Sequence, residues 1–453
     1  MRRGCRVGRT WGLAAVGIAA VLVVSGCAGT SAPPPDPLQR QPGQVFLYGT
    51  DGNTMNGVGD LITKTHPNAI DGMKGTVPLT QLTQAFKDRV LSIDPTLADF
   101  TYAAETYDAV VIVALATEIA GSTDSRAIAD QINGVTVGGQ TCDSIAFCMT
   151  LVKQGKDIQY KGISNQLGGF TDAGEPSAST YGILRFGSDN HIVNGLTQFV
   201  PAGNPGNATQ APPPAHGNNN GTSASPLHLG GLMSKTGDLA LACKALFAAA
   251  KLGVKEVNDA GGVLGHPVQW TEADDETNPD VAKTAATHLI DDGAQVLIGA
   301  AASGLSLAAL PIAMQAGVVL FSPSNTAATL STVKDDGLYF RTAPPDNLQA
   351  AALADIIVRD GARKLAVIYR DDAYGDGLAQ STKQDLIQAG LTDADIILMP
   401  YDANPPKDKP VDFAATAQQV LQANPDGVLL VGYAETVDAV DALVGAGITS
   451  ITR

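Results

Sequence analysis

The chain is poor in the residues that most catalytic chemistry needs. Histidine occurs only 6 times in 453 residues and never at a spacing that gathers metal ligands. There is no GxxxxGKS/T phosphate loop, no GxSxG elbow and no HExxH pair. Their absence excludes the commonest NTPase, hydrolase and metalloprotease sites, so no catalytic residue, metal or cofactor is assigned. Positive charge is also scarce: 29 Lys and Arg stand against 45 Asp and Glu, a formal charge of −16. Four of the arginines lie in residues 1–26, which hold no acid, so the remainder is more acidic still. Such a surface solubilises a protein and argues against nucleic acid as a partner, because phosphates need basic groups.

Cysteine is rare, with 5 in the chain. Residues 1–26 read as a signal peptide, with a basic MRRGCRVGR, an apolar LAAVGIAAVLVV and the ending VSGC at Cys27. The apolar run is short for a stable membrane span. VSGC resembles the bacterial lipobox, which implies that Cys27 is lipidated and anchors the mature chain to the outer face of a bacterial membrane. An ordinary signal peptide or a membrane helix is the alternative. Cys142 and Cys148, in CDSIAFC, are close enough in sequence for a small loop disulfide in an oxidising compartment. Cys243 is left as a buried small hydrophobe. Residues 27–43 form the anchor and its tether, rich in Pro and Gln.

What the chain does have is apolar content, 44% of residues, and 49 glycines for tight turns. A chain of 453 residues exceeds one ordinary core. Short apolar strands such as QVFLYGT, STYGILRF, LHLGGLM, AQVLIGAA, VVLFSPS, KLAVIYRDD and DGVLLVGY alternate with helical segments. That alternation predicts parallel sheets in α/β units, with ligands beyond the carboxyl ends of the strands. Residues 201–226, rich in Pro, Gly and Asn, predict a flexible linker between two blocks, 44–200 and 227–453.

The second block resembles the first two-thirds of a type I periplasmic binding protein of the branched-chain amino acid receptor group. The likeness runs through EVNDAGGVLGHPVQWTEADDETNPDVAKTAATHLIDDGAQVLIGAAASG, LFSPSNTAATL, LYFRTAPPDNLQA, KLAVIYRDDAYGDGLA and ANPDGVLLVGYAE. The first block resembles the remaining third, through LYGTDGN, GMKGTVP, YAAETYDAVVIVALATEIAGS and ASTYGILRF. The two blocks stand in reversed order, which reads as circular permutation through the 201–226 linker. Loop closure over such a length costs only a logarithm. A truncated tandem of two receptors and a domain-swapped pair are the other readings.

The resemblance implies two doubly wound α/β lobes joined by a hinge, one near 79–171 plus 227–343, the other near 44–78, 172–200 and 344–453. It implies that Ser303, Ser324 and Thr326 hold a ligand's carboxylate and amine, though each also fits an N-cap or turn role. It implies that Asp51 holds the ammonium, whose alternative is a turn aspartate beside glycine. Tyr374 and Tyr433 match positions that close over the ligand, while Asp372 and Glu435 are expected to be surface charges. Ala240 to Ala242 predict a roomy apolar pocket suited to Leu, Ile or Val. The implied protein is a substrate-binding lipoprotein of an ABC importer, not an enzyme, with a small amino acid or amide as ligand and a membrane permease as partner. A sensor of the same fold, a receptor for amides or urea, and an amidase using Ser303 as nucleophile are the alternatives.

Overall fold

Two sheets organise the chain, and both blocks of sequence contribute to the larger one. The structure, a computed structural model, describes residues 40–210, 225–406 and 409–452. The signal-like segment, Cys27 and the centre of the 201–226 stretch lie outside the described residues. The first block supplies β1 (Gln44–Gly49), β2 (Lys74–Pro78), β3 (Gln140–Cys142), β4 (Ile158–Tyr160), β5 (Ala178–Arg185) and β6 (Gln198–Gly203). The second supplies β7 (His228–Met233), β8 (Gln269–Asp274), β9 (Val296–Gly299), β10 (Val319–Ser322) and β11 (Tyr339–Arg341). It continues with β12 (Leu365–Asp371), β13 (Ile396–Asp402), β14 (Gly427–Val431) and β15 (Thr449–Ser450).

The smaller sheet has the order β11-β10-β9-β7-β8 and is wholly parallel. The larger runs β13-β12-β14-β1-β2-β5-β6, with β15 also paired to β1. It is parallel except for β2–β5 and β5–β6. Its central strands, VFLYG in β1 and GVLLV in β14, are buried at every position. Strands covered by helices on both faces read as unbroken apolar runs for this reason. β1 lies between β14 and β2, with Phe46 opposite Gly427 and Tyr48 opposite both Leu429 and Lys74. The 449–451 segment runs beside the start of β1: Thr449 N–H donates to Gly43 O at 2.9 Å and Ile451 N–H to Val45 O at 2.8 Å.

The smaller sheet is built from the second block, but a helix of the first block covers it. Ala103–Ala120 is apolar around its circumference, with 16 of its 18 residues buried. A helix of that composition needs a partner on every side. It packs on the Ala240–Asp259 helix and on β9 and β10. Their approach is close at Gly253, where a Cβ would fall 3.0 Å from Val110 Cγ1. Asp108 is the charged residue in this helix without exposure; it caps the 163–165 turn by accepting from three backbone N–H groups, the Ser164 hydroxyl and Tyr160 Oη. The chain passes between the sheets after β2, before β5 and after β11. The unit around the small sheet is lobe one below, and that around the large sheet is lobe two.

Cys142 and Cys148 are disulfide-bonded, and Cys243 is a buried free thiol. The linker expected from residue 201 begins later than composition predicts. β6 continues through Gly203, and Thr209 N–H donates to Phe170 O at 2.7 Å. Pro201 is tolerated because β6 is an edge strand, where half of the backbone groups have no ladder partner.

Because β1 and the Ala103–Ala120 helix complete the two cores, residues 226–452 produced alone should fail to fold. Circular dichroism with urea titration should show no cooperative transition, and adding residues 40–210 should restore one. A sharp transition in the fragment alone would contradict this dependence.

Candidate functional site

The loops at the carboxyl ends of the strands from both sheets meet at one cavity. Lobe one contributes two of them. β9 leads through residues 300–302 into the helix Ser303–Ala316, and β10 leads into the 323–327 turn. Ser303 Oγ accepts the backbone N–H of Thr326 at 3.2 Å and of Ala327 at 3.1 Å. Its own hydroxyl proton is therefore free to point at an acceptor in the cavity. Ser324 Oγ donates to Ala301 O at 2.9 Å, and Asn325 Nδ2 donates to the carbonyls of Ala300 and Ala301. Behind this turn lies Arg341, with no exposed surface, which donates to the carbonyls of Asn325 and Ala327. Arg341 is neutralised by Glu175 of the first block, at 2.5 Å. The carbonyls of this turn face Arg341 and its N–H groups are held by the Ser322 and Ser303 hydroxyl oxygens, so the Ser303 hydroxyl proton is the donor left for the cavity. The Ser303 helix also directs its N-terminal dipole there, which favours an anion.

Lobe two contributes an acid and two aromatic rings. Asp51 follows β1 and is 4% exposed. Its Oδ1 accepts from Tyr374 Oη at 2.8 Å and Gln349 Nε2 at 2.9 Å, and its Oδ2 accepts from Tyr102 Oη at 2.7 Å. Gly52 is required beside it, because a Cβ there would lie 2.4 Å from Gly432 O and 2.7 Å from the Tyr433 ring. The Tyr374 and Tyr433 rings stack with centroids 5.4 Å apart and planes 14° apart. Burial pushes the Asp51 carboxyl above its ordinary range, and its three donors oppose that. Asp346, also fully buried, is pushed well up by burial and then by Asp51, and its oxygens lack a well-formed hydrogen bond. Since donors stabilise the ionised form, the charge of this pair rests on Asp51.

Asp51, Ser303, Ser324, Thr326, Tyr374 and Tyr433 all line this one cavity. Its remaining wall is apolar: Leu239, Ala242, Cys243 and Leu246 at the start of the Ala240–Asp259 helix, with Ala301 opposite. Of the small residues that predict a roomy pocket, Ala242 faces the cavity and Ala240 does not. Burial raises the Cys243 thiol, so it presents an apolar, protonated sulfur.

Tyr102 is not among the sequence candidates, although it opens the YAAETYDAV run. It holds a left-handed backbone, φ 58° and ψ 9°, at the cap of the Ala103–Ala120 helix. Non-glycine residues seldom adopt that conformation, and nothing in the local sequence announces it. Asp372 and Glu435 require correction. Instead of surface charges they are partners of the buried Arg370, at 2.6 Å and 2.5 Å, each with a side chain only 15% exposed. Arg370 in turn lies 4.0 Å from the Tyr433 ring centroid. The apolar strand β12 masks this arginine in sequence, and its two acids lie beyond different strands. Among the described residues no cluster of three or more His, Cys, Asp or Glu fits a metal ion.

The fold, two α/β lobes with a polar cavity at their strand ends, defines a solute-binding architecture. Residues 226–453 match the family described as periplasmic binding protein. The chain belongs to this family. The family is one of binding proteins, not enzymes. The chain is 31% identical over 185 residues to a Leu/Ile/Val-binding protein homolog of Brucella melitensis, covering 41% of this chain and 48% of the relative. To the leucine-specific-binding protein of Salmonella typhimurium it is 29% identical over 188 residues, 41% of this chain and 49% of the relative. The chain thus spans about half the length of the curated relatives it matches. Among solved structures, a branched-chain amino acid transporter substrate binding protein of Streptococcus pneumoniae in complex with isoleucine superposes with a TM-score of 0.42. That alignment has 24% identity and covers 50% of this chain and 63% of the other.

Replacing Ser303 with Ala would leave the Thr326 and Ala327 N–H groups without their buried acceptor. Urea unfolding should show a loss of about 1–3 kcal/mol, and Ser303→Thr should recover most of it. Equal stability of all three proteins would refute the assigned hydrogen bonds.

Proposed function

We propose that the chain is the substrate-binding component of an ABC importer and captures a small, apolar amino acid by closing its two lobes. The observation that carries this reading is the opposition of charge within one cavity. Lobe two offers the Asp51 carboxylate; lobe one offers the Ser303 hydroxyl and a helix N-terminus. A zwitterion presents the complementary pair, an ammonium and a carboxylate. The Leu239, Ala242, Cys243 and Leu246 wall suits an aliphatic side chain and has no polar group to pair with a charged one. The Leu/Ile/Val-binding relatives support the same class. Ser303 acts here as a ligand contact, with no histidine lining the cavity.

Delivery to a membrane permease follows from the importer reading, as does placement outside the cytoplasm with Cys27 as the lipidated residue. No described helix is long and apolar enough to cross a membrane. A second reading, a ligand without an ammonium such as an amide, draws on the three donors that already occupy Asp51.

Calorimetry with L-leucine separates the two. For a zwitterionic ligand, Asp51→Asn should weaken binding by at least about 100-fold, because a buried ammonium loses its counter-charge. Unchanged affinity, or wild-type binding of amides in place of amino acids, would favour the second reading.

The block order is read as circular permutation, with 201–226 as the join; the pairing of 449–451 with the start of β1 supports it. A gene rearranged so that residues 226–452 precede residues 40–203 should give a protein that folds and binds with the affinity of the original. An unfolded or inactive product would count against permutation.

A further inference from the structure

A second inter-lobe contact lies at the edge of the cavity, outside the ligand-facing residues. Asp238, in the lobe-one loop between β7 and the Ala240–Asp259 helix, reaches lobe two in two ways. Its backbone carbonyl accepts the Ala434 N–H at 3.2 Å, and its Oδ2 stands 3.9 Å from Arg370 Nη1. Arg370 is already engaged. Its Nε donates to Asp372, its Nη1 to Glu435 and its Nη2 to Ala403 O, and its guanidinium lies under the Tyr433 ring. Glu435 also accepts the Tyr401 hydroxyl at 2.7 Å, and Asp438 adds a further negative charge from the next helix. On Asp238's own side, the one nearby cation of the loop, Lys235, is paired with Glu272 at 3.0 Å. One guanidinium therefore faces three carboxylates, two of them at hydrogen-bonding distance and the third arriving from the opposite lobe.

We propose that Asp238 and the Arg370 cluster form a proton-sensitive latch, in which closing the lobes adds a third carboxylate to an already neutralised guanidinium and so takes up a proton at Asp238. This rests on the two-lobe closure proposed above. The same arginine supports the cavity wall, because Tyr433 lies between Arg370 and Tyr374. Whatever disturbs the latch thus reaches the aromatic face of the site, and Asp238 acts as a positioning residue, not a ligand contact.

The sign follows from the two states. In the closed protein, burial first and then Glu435 push the Asp238 carboxyl up to about 6, with Arg370 opposing. With the lobes apart, the side chain is an exposed carboxylate of ordinary range, about 4. Between these values the closed form holds more protons. Lowering the pH through that window favours closure and tightens binding. Near pH 8 both forms are ionised and the repulsion acts in full. Asp51 works in the opposite direction at low pH, so the informative quantity is the ratio of variant to wild-type affinity.

The test is calorimetry with L-leucine at pH 8, 7, 6 and 5 on wild type and Asp238→Asn, whose neutral amide imitates the protonated latch. Solvent screening of the half-exposed Asp238 limits the effect, so the variant should bind about three- to tenfold more tightly at pH 8. The difference should narrow through pH 6 and 5 and close only near pH 4, roughly the range of the exposed carboxylate. A ratio that stays constant with pH, or weaker binding by the variant at pH 8, would overturn the latch. If wild type does not bind L-leucine at all, the proposed ligand fails but the latch is still read in the unliganded protein. Small-angle scattering should then show wild type compacting from pH 8 to pH 5 and Asp238→Asn unchanged; identical behaviour of the two would end the proposal.

Discussion

A buried carboxylate cannot stay ionised without donors, and the arrangement of this protein can be traced to that constraint at Asp51. Its three donors come from separate parts of the chain: Tyr102 from lobe one, Tyr374 from the helix after β12, and Gln349 from the helix after the last crossover. Gln349 also donates to Thr76 O in β2. Asp51 itself is placed by β1, which is held between β14 and β2. The acid is therefore correctly surrounded only when both blocks share one sheet and the lobes face each other. Sheet order, crossovers and site are one constraint seen at different scales.

Lobe one solves the complementary problem without a charge in the cavity. Arg341, tied to Glu175, holds the carbonyls of the 325–327 turn, the Ser303 and Ser322 oxygens hold its N–H groups, and the Ser303 hydroxyl proton is left facing inward. The Arg341–Glu175 pair has the same cross-block character as the Asp51 network, since Glu175 precedes β5 and Arg341 ends β11. A buried pair of this kind costs desolvation, and removing either partner would leave the other charge uncompensated.

Much of this could be read from residue order. The strands are short apolar runs ending in small polar residues, as in GAAASG, SPSNTA, YRDDAYG, VGYAE and LYGTDG. The six ligand candidates share a cavity because parallel α/β sheets put all such ends on one side. What sequence did not reveal were interactions whose partners lie far apart. Tyr102 depends on a left-handed turn, and the Arg370 cluster depends on acids beyond β12 and β14. Composition also misjudged Pro201, since a proline-rich run looks like linker whether or not an edge strand uses its first residues.

The acidity seen in the composition returns at the cleft. Burial pushes up Asp51 and Asp346 and, at the cavity's edge, Asp238 (to about 6). The two buried arginines nearby are each already matched, Arg341 by Glu175 and Arg370 by Asp372 and Glu435. Closing an empty cleft thus gathers negative charge and supplies no new positive charge. Such a closure is unfavourable, because desolvation and like-charge repulsion act together. A ligand ammonium beside Asp51 would supply the missing cation, while its carboxylate would be met by neutral donors and a helix dipole in place of another charge. The same surplus of acid that makes the empty closed form costly makes closure depend on what the cleft contains, and a ligand can shift the lobes only by such a difference between the two forms.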